Sequence, residues 1–228
     1  MDQLGTVIVT GGASGLGAAV AERLRDDGAT PVVLDRQAPA DGLAFRAVDL
    51  AHPRDAEAAV RAVADERGGL DAVVAAAGTD ACGDIGDVDP DEWDRVVMVN
   101  LLGTAAVARA ALPYLEASGG RLVAVGSTLG IRVLPAATAY CASKFGVVGF
   151  TRALAAETAG RIGVTLLLPG GMRTRFFDGR PEQFRPAEDQ ALNDPRDVAS
   201  AVVFALRQPP GCELRELLMA PATEPSWP

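Results

Sequence analysis

Between a β-branched run, Val7–Thr10, and an alanine-rich stretch stands the string Thr10-Gly11-Gly12-Ala13-Ser14-Gly15-Leu16-Gly17. Glycines here permit torsions closed to other residues and let the main chain approach a bound group closely. A helix opening directly after such a turn offers unpaired N–H groups and the positive end of its dipole to an anion. A strand, a G-x3-G-x-G turn and a helix in that order point to an α/β chain whose first turn accepts a pyrophosphate.

The same alternation continues along the chain. Pro31–Asp35, Phe45–Val48, Ala72–Ala75, Arg121–Val125, Val164–Leu168 and Leu217–Ala220 read as strands,. Gly17–Asp27, Asp55–Glu66, Asp91–Glu116, Ala139–Ala159 and Asp197–Arg207 read as helices between and after them. Such βαβ units predict a doubly wound, mostly parallel α/β sheet with helices on both faces. Residues 1–228 are expected to form a single dinucleotide-binding and catalytic domain,. Pro113, late in the long helix Asp91–Glu116, is expected to kink or shorten it,. The stretch 173–194, rich in Arg, Phe, Pro and Asp, breaks the pattern. It follows a strand end, where open α/β sheets receive ligands, and reads as a substrate lid.

Composition bounds the partners. A formal charge of −9 argues against binding nucleic acid or an anionic membrane surface,. No stretch looks like the ~20 apolar residues of a membrane span, so a cytoplasmic protein is expected. Cys82, Cys141 and Cys212 show no C-x-x-C spacing and read as thiols in a reducing compartment,. His52, ahead of Pro53, reads as a solvated residue at a helix mouth. No metal site is indicated.

Asp35 closes the second strand 18 residues after Gly17. A carboxylate near this spacing bonds the ribose hydroxyls of NAD and repels a 2′-phosphate. Arg36 beside it is a competing feature, since an arginine can host that phosphate. The glycine loop adds no second basic residue, so NAD is expected. Asp49, after the third strand, suits either an adenine amino group or the cap of the next helix.

Tyr140-Cys141-Ala142-Ser143-Lys144 places a phenol and an ammonium one helical turn apart,. Tyrosine, with a pKa of ~10, needs a nearby cation to act as a base at neutral pH. Ser127 follows the strand Arg121–Val125, and a strand-end serine can meet the start of the following helix across a cleft.

In Thr10–Gly17, Asn100, Ser127, Tyr140 with Lys144, and Pro169-Gly170-Gly171-Met172-Arg173-Thr174, the chain resembles the short-chain dehydrogenase/reductase family. The resemblance runs from the glycine loop to the last strand and implies a Rossmann-type fold. It implies that Tyr140 exchanges a proton with the substrate oxygen and that Ser127 holds that oxygen. Lys144 would lower the phenol's pKa and bond the nicotinamide ribose, and Asn100 would position a water in a proton relay. For the cofactor it implies Gly11, Ser14, Gly15, Leu16 and Gly17 in the loop. Asp35, Arg36, Asp49, Leu50, Ala77 and Gly78 follow, then Tyr140, Lys144, Pro169, Gly170, Met172 and Thr174 at the nicotinamide end. One departure stands out. The family's N-N-A-G after the fourth strand is Ala75-Ala76-Ala77-Gly78 here, so the bracing asparagines are missing.

The resemblance also locates the substrate wall at Ser127, Leu129, Leu134, Tyr140, Gly171, Phe176 and Phe177, with Thr128, Met172 and Phe184 nearby. That wall is mostly apolar and suits a small, neutral secondary alcohol or ketone. Arg173, Arg175, Arg180 and Arg185 read as solvated, with a carboxylate clamp as the alternative,. Apolar excess on Asp91–Glu116 and Ala139–Ala159 predicts a homodimer or homotetramer,. Competing readings are an epimerase or lyase on the same fold, and a non-catalytic nucleotide sensor. An intact Ser127, Tyr140 and Lys144 argues against the sensor.

Overall fold

The computed structural model describes residues 4–40 and 42–224. The β-branched runs form strands β1 (Thr6–Thr10), β2 (Thr30–Asp35), β3 (Ala44–Ala47), β4 (Ala72–Ala75), β5 (Arg121–Val125), β6 (Gly163–Pro169) and β7 (Glu216–Met219). They make one sheet of order β3-β2-β1-β4-β5-β6-β7. Every pairing is parallel, so the sheet is wholly rather than mostly parallel among the described residues. The helices are α1 (Gly15–Asp26), α2 (Pro53–Arg67), α3 (Pro90–Val97), α4 (Thr104–Ser118), α5 (Thr138–Glu157) and α6 (Pro195–Leu206).

Strand side chains alternate between two cores. Ile8, Val32, Leu34 and Val73 pack with α2, α4 and α5, whereas Val7, Val9, Val33 and Val74 pack with α1 and α6. Each such side chain contributes about 1.5–3 kcal/mol relative to exposure. The order reverses between β1 and β4, which opens a crevice at their carboxyl ends,. The glycine loop leaves β1 at that crevice, and β5 and β6 bring Ser127 and Pro169 to the same edge.

Two expectations change here. The long helix breaks at Met98–Gly103, which is π-helical, and not at Pro113, which lies inside α4 with the helix continuing to Ser118. The π-helical turn contains Asn100, whose side chain is held by groups outside its helix. The whole run Pro90–Ser118 does meet the length and apolarity of a membrane span. In this fold 56% of its most apolar stretch is buried inside the protein, as expected of a core helix.

Candidate active site

The cofactor end is built from close approaches. Gly11 has φ +69°, and a Cβ there would stand 2.7 Å from the Ala77 Cα. A Cβ on Gly17 would stand 2.3 Å from the Gly11 carbonyl oxygen. Side chains at either position would force the loop away from β4. Ser14 N-caps α1, but its side chain makes no capping hydrogen bond, and the first turn of α1 carries no acidic residue. The first N–H groups of α1 are thus not capped by Ser14, and they face an exposed turn, as an anion site requires. Leu16 is buried beneath the loop. The missing family asparagines are offset in part: the Thr10 hydroxyl accepts from Ala77 N at 3.1 Å and ties β1 to the end of β4.

Asp35 sits at the end of β2 beside this loop. Its Oδ2 accepts from Ala13 N and its Oδ1 from Gln37 N, both at 3.1 Å. A carboxylate has ~4 acceptor sites, so two backbone bonds leave capacity for a ribose. Arg36 is exposed and points to Asp49, with Nε 3.6 Å from its Oδ2. Asp49 also accepts from Arg95 at 2.8 Å and from Ala51 N at 2.9 Å. Burial pushes its carboxyl up, but the Ala51 N–H and the two arginines outweigh it and hold the pKa below the usual value. Asp49 does not N-cap α2, because that position belongs to His52. The Leu50 side chain is buried in the core, leaving only its main chain for a ligand.

Tyr140 and Lys144 lie on the first turns of α5. Ser127, just past the end of β5, lies near enough to the Tyr140 phenol to lower its pKa. Ser127 also accepts from Leu129 N at 3.1 Å, which fixes its hydroxyl. Lys144 Nζ donates to Val125 O at 2.8 Å and lies 5.6 Å from the Tyr140 ring centre. Burial pushes Lys144 down to about 8. Tyr140 is pushed up to about 12, chiefly by burial; the nearby Ser127 hydroxyl lowers it, and Asp80 raises it. The expected lowering by Lys144 is therefore not what dominates in this state: the ammonium spends an N–H on Val125, and desolvation of the phenolate outweighs the rest.

Asn100 connects these parts. Its amide donates to Thr79 O at 2.9 Å and to Ser143 Oγ at 3.0 Å, and its Oδ1 accepts from Thr79 N at 2.8 Å. Both amide hydrogens are committed, so only carbonyl lone pairs remain for a water, and its main-chain oxygen already accepts from Thr104. The side chain clasps the 78–79 turn against α5. A Cβ on Gly78 would meet Asn100 Oδ1 at 3.6 Å and Lys144 Nζ at 3.8 Å, which places that turn directly over the pair.

The segment after Pro169 folds over the cleft. Gly170 N donates to Met219 O at 2.8 Å, and Gly171 N to a Glu224 carboxylate oxygen at 2.9 Å. Thr174 stands 3.5 Å from where a Gly15 Cβ would be, so the lid's first turn meets the glycine loop. Phe176 packs on Tyr140 with ring centres 5.7 Å apart, and Phe177 packs edge-on against Phe176. Leu129 is part-buried beside Ser127. Leu134 is 48% exposed and stays on the rim, and part-buried Met172 packs against the core that α1 and α6 share. Before Tyr140, Ala136 has φ +56°, a left-handed torsion unusual for a residue with a Cβ,. Its carbonyl accepts from Gly83 N at 2.9 Å.

Three groups escaped sequence reasoning: Glu224, Asp80 and the buried state of Arg180. Arg173, Arg175 and Arg185 are exposed as expected. Arg180 is not solvated: its guanidinium donates to Asp80 at 2.6 Å, with side chains only 16% and 8% exposed. A separate cleft of about 500 Å³ runs between Thr174, Phe177 and residues 185–192, and no catalytic candidate lines it.

A parallel sheet with a pyrophosphate-sized glycine turn and a serine–tyrosine–lysine set at its carboxyl edge defines a dinucleotide-binding oxidoreductase fold. The family model described as short chain dehydrogenase matches residues 5–184, and the chain belongs to that family. An uncharacterised oxidoreductase of Staphylococcus aureus is 33% identical, covering 94% of this chain and 96% of its own. A short chain dehydrogenase from Burkholderia cenocepacia, solved in complex with NADP, has a TM-score of 0.83 at 30% identity, covering 96% of this chain and 98% of its own. The ligand-free aldohexose dehydrogenase of Thermoplasma acidophilum has a TM-score of 0.85 at 26% identity, covering 96% and 93%.

Proposed function

We propose that the protein is an NAD-dependent oxidoreductase acting on a small, largely apolar secondary alcohol or its ketone. The observation that carries this is the convergence of Ser127, Tyr140 and Lys144 at one cleft, with the Lys144 ammonium 5.6 Å from the Tyr140 ring centre and Ser127 near enough to the phenol to lower its pKa. A nicotinamide dinucleotide bound along the glycine turn supplies or accepts the hydride. Ser127 orients the substrate oxygen toward the phenol. Tyr140 gives that oxygen a proton in reduction and takes it back in oxidation. Lys144 holds its positive charge beside the phenol and bonds the ribose, while Asn100 fixes the turn above them and offers a carbonyl lone pair to a relay water. Phe176, Phe177 and Leu129 exclude water and give the pocket its apolar wall.

The preference for NAD rests on Asp35, whose negative charge lies where a 2′-phosphate would come. Arg36, the residue able to meet that phosphate, is drawn toward Asp49. The Burkholderia relative was solved with NADP, which makes cofactor choice a sharp test. Calorimetric titration is expected to show tighter binding of NAD than of NADP, and Asp35→Ala to narrow or reverse the gap by removing the carboxylate that repels a 2′-phosphate. Tighter NADP binding by the wild type contradicts the assignment.

The same reading places the enzyme in the cytoplasm, where Cys82, Cys141 and Cys212 stay reduced, and makes it a homodimer or homotetramer. Leu102 at the head of the α4 run, Phe145 on α5 and Phe204 on α6 are 42%, 45% and 60% exposed, apolar surface that self-association would cover,. Light scattering at micromolar concentration should give at least twice the 23.5 kDa chain mass. A monomer would refute that assembly.

A further inference from the structure

Arg180 is held on several sides and satisfied on only some. One terminal nitrogen donates to Asp80 Oδ2 at 2.6 Å. The guanidinium lies 4.8 Å from the Phe176 ring centre and 4.7 Å from that of Phe177. Its other terminal nitrogen reaches the Phe184 carbonyl at 3.5 Å. Nε, by contrast, is buried and has no hydrogen-bond partner among the described residues. That N–H shares an edge of the planar fork with the nitrogen that bonds Asp80. Asp80 fills only half of the edge, because its Oδ1 is turned to Ala81 N at 2.8 Å and its Oδ2 also accepts from the Cys82 thiol at 3.2 Å. A buried donor without an acceptor is costly to keep, so the position favours any ligand that brings one.

The unpaired donor, buried under the lid, is one aromatic ring from the chemistry. Phe176 touches both the Tyr140 ring and the Arg180 guanidinium, and Asp80 and Arg180 both act electrostatically on the phenol. Resting on the oxidoreductase reading above, we propose that Arg180 is a substrate-specificity residue whose Nε–H receives a second, neutral oxygen of the substrate. The substrate is then an oxygenated secondary alcohol or ketone, such as a keto ester or a hydroxyketone. Neutrality follows from Asp80. Its carboxylate already balances the guanidinium, and a substrate carboxylate would have to lie beside it and be repelled. Asp80 also latches the lid residue that carries the donor, so lid closure and recognition of the second oxygen are one event.

The full chain is assayed with its reduced nicotinamide cofactor and three ketones: methyl butyl ketone, ethyl acetoacetate and acetoacetate. The ester is expected to exceed methyl butyl ketone in kcat/KM by ~10-fold or more, the discrimination a charged donor left unpaired imposes. Arg180→Met should bring that ratio to within about twofold, and Arg180→Lys, which keeps a charge for Asp80 but loses the fork, should do the same. Asp80→Asn leaves the guanidinium uncompensated and should shift preference from the ester toward acetoacetate by ~10-fold. An ester preference unchanged in both Arg180 variants, or a wild type that favours acetoacetate, overturns the proposal. Turnover of methyl butyl ketone with no ester preference overturns it while leaving the oxidoreductase reading standing. No turnover of any of the three overturns both.

Discussion

Tyr140→Phe is expected to lower kcat/KM by ~10²–10⁴-fold, the usual contribution of a positioned acid–base group. Phe keeps the ring that packs on Phe176 and removes only the hydroxyl that Ser127 faces. Fold and cofactor binding should therefore survive, which thermal melting and nicotinamide titration would check. The direction of the phenol's shift adds a second expectation. Burial holds Tyr140 near 12, so at neutral pH it carries its proton and is poised as the acid of ketone reduction. Oxidation needs the phenolate, and its rate should climb with pH across the neutral range. A Phe variant with near-wild-type turnover and normal cofactor binding would remove Tyr140 from the mechanism.

Lys144→Met is expected to abolish activity and to stabilise the protein. The lysine is buried, and its pKa falls from 10.5 to about 8, so keeping it charged in the fold costs about 3 kcal/mol at 1.36 kcal/mol per unit,. Met fills a similar volume without charge but forfeits the bond to Val125 O, leaving a net gain of about 1–2 kcal/mol at neutral pH. The sign with pH is definite. Between about 8 and 10.5 the unfolded chain binds the lysine proton more strongly than the folded one, so wild-type stability rises with pH there,. Below about 8 both states are protonated and the penalty is fully present. The advantage of the Met variant should thus be greatest at or below that pH and shrink above it. Denaturant unfolding at several pH values would check this, and a variant less stable than wild type at neutral pH would contradict it. Stability given up at this position is the trade expected of a catalytic lysine.

Local pattern carried the sheet. Val7–Thr10, Ala72–Ala75 and Arg121–Val125 are short β-branched or alanine runs bounded by turn residues, and each is a strand in the structure. That Ser127 comes near Tyr140 was legible too, because a strand end and the start of the next helix are neighbours in any βαβ unit. What sequence did not reveal depends on partners far along the chain. The π-helical turn at Met98–Gly103 holds Asn100, whose amide reaches Thr79 and Ser143, and no local signal competes with the obvious Pro113. Asp49 reads from sequence as a cap or an adenine contact; the cap of α2 falls instead to His52, and the Arg95 pair, from another helix, has no local signal. Arg180 looked like one of several solvated arginines on a polar excursion. Its partner Asp80 lies 100 residues away, so only the folded lid distinguishes it from Arg175.

The central claim is hydride transfer between nicotinamide and a substrate carbon beside Tyr140. It is tested most directly with NADH doubly deuterated at the hydride-bearing ring carbon, a ketone that the enzyme turns over, and mass analysis of the alcohol. One deuterium is expected on the carbinol carbon of every product molecule formed by the wild type, and negligible product from Tyr140→Phe. Alcohol formed without the label, or labelled alcohol formed equally well by Tyr140→Phe, would contradict it.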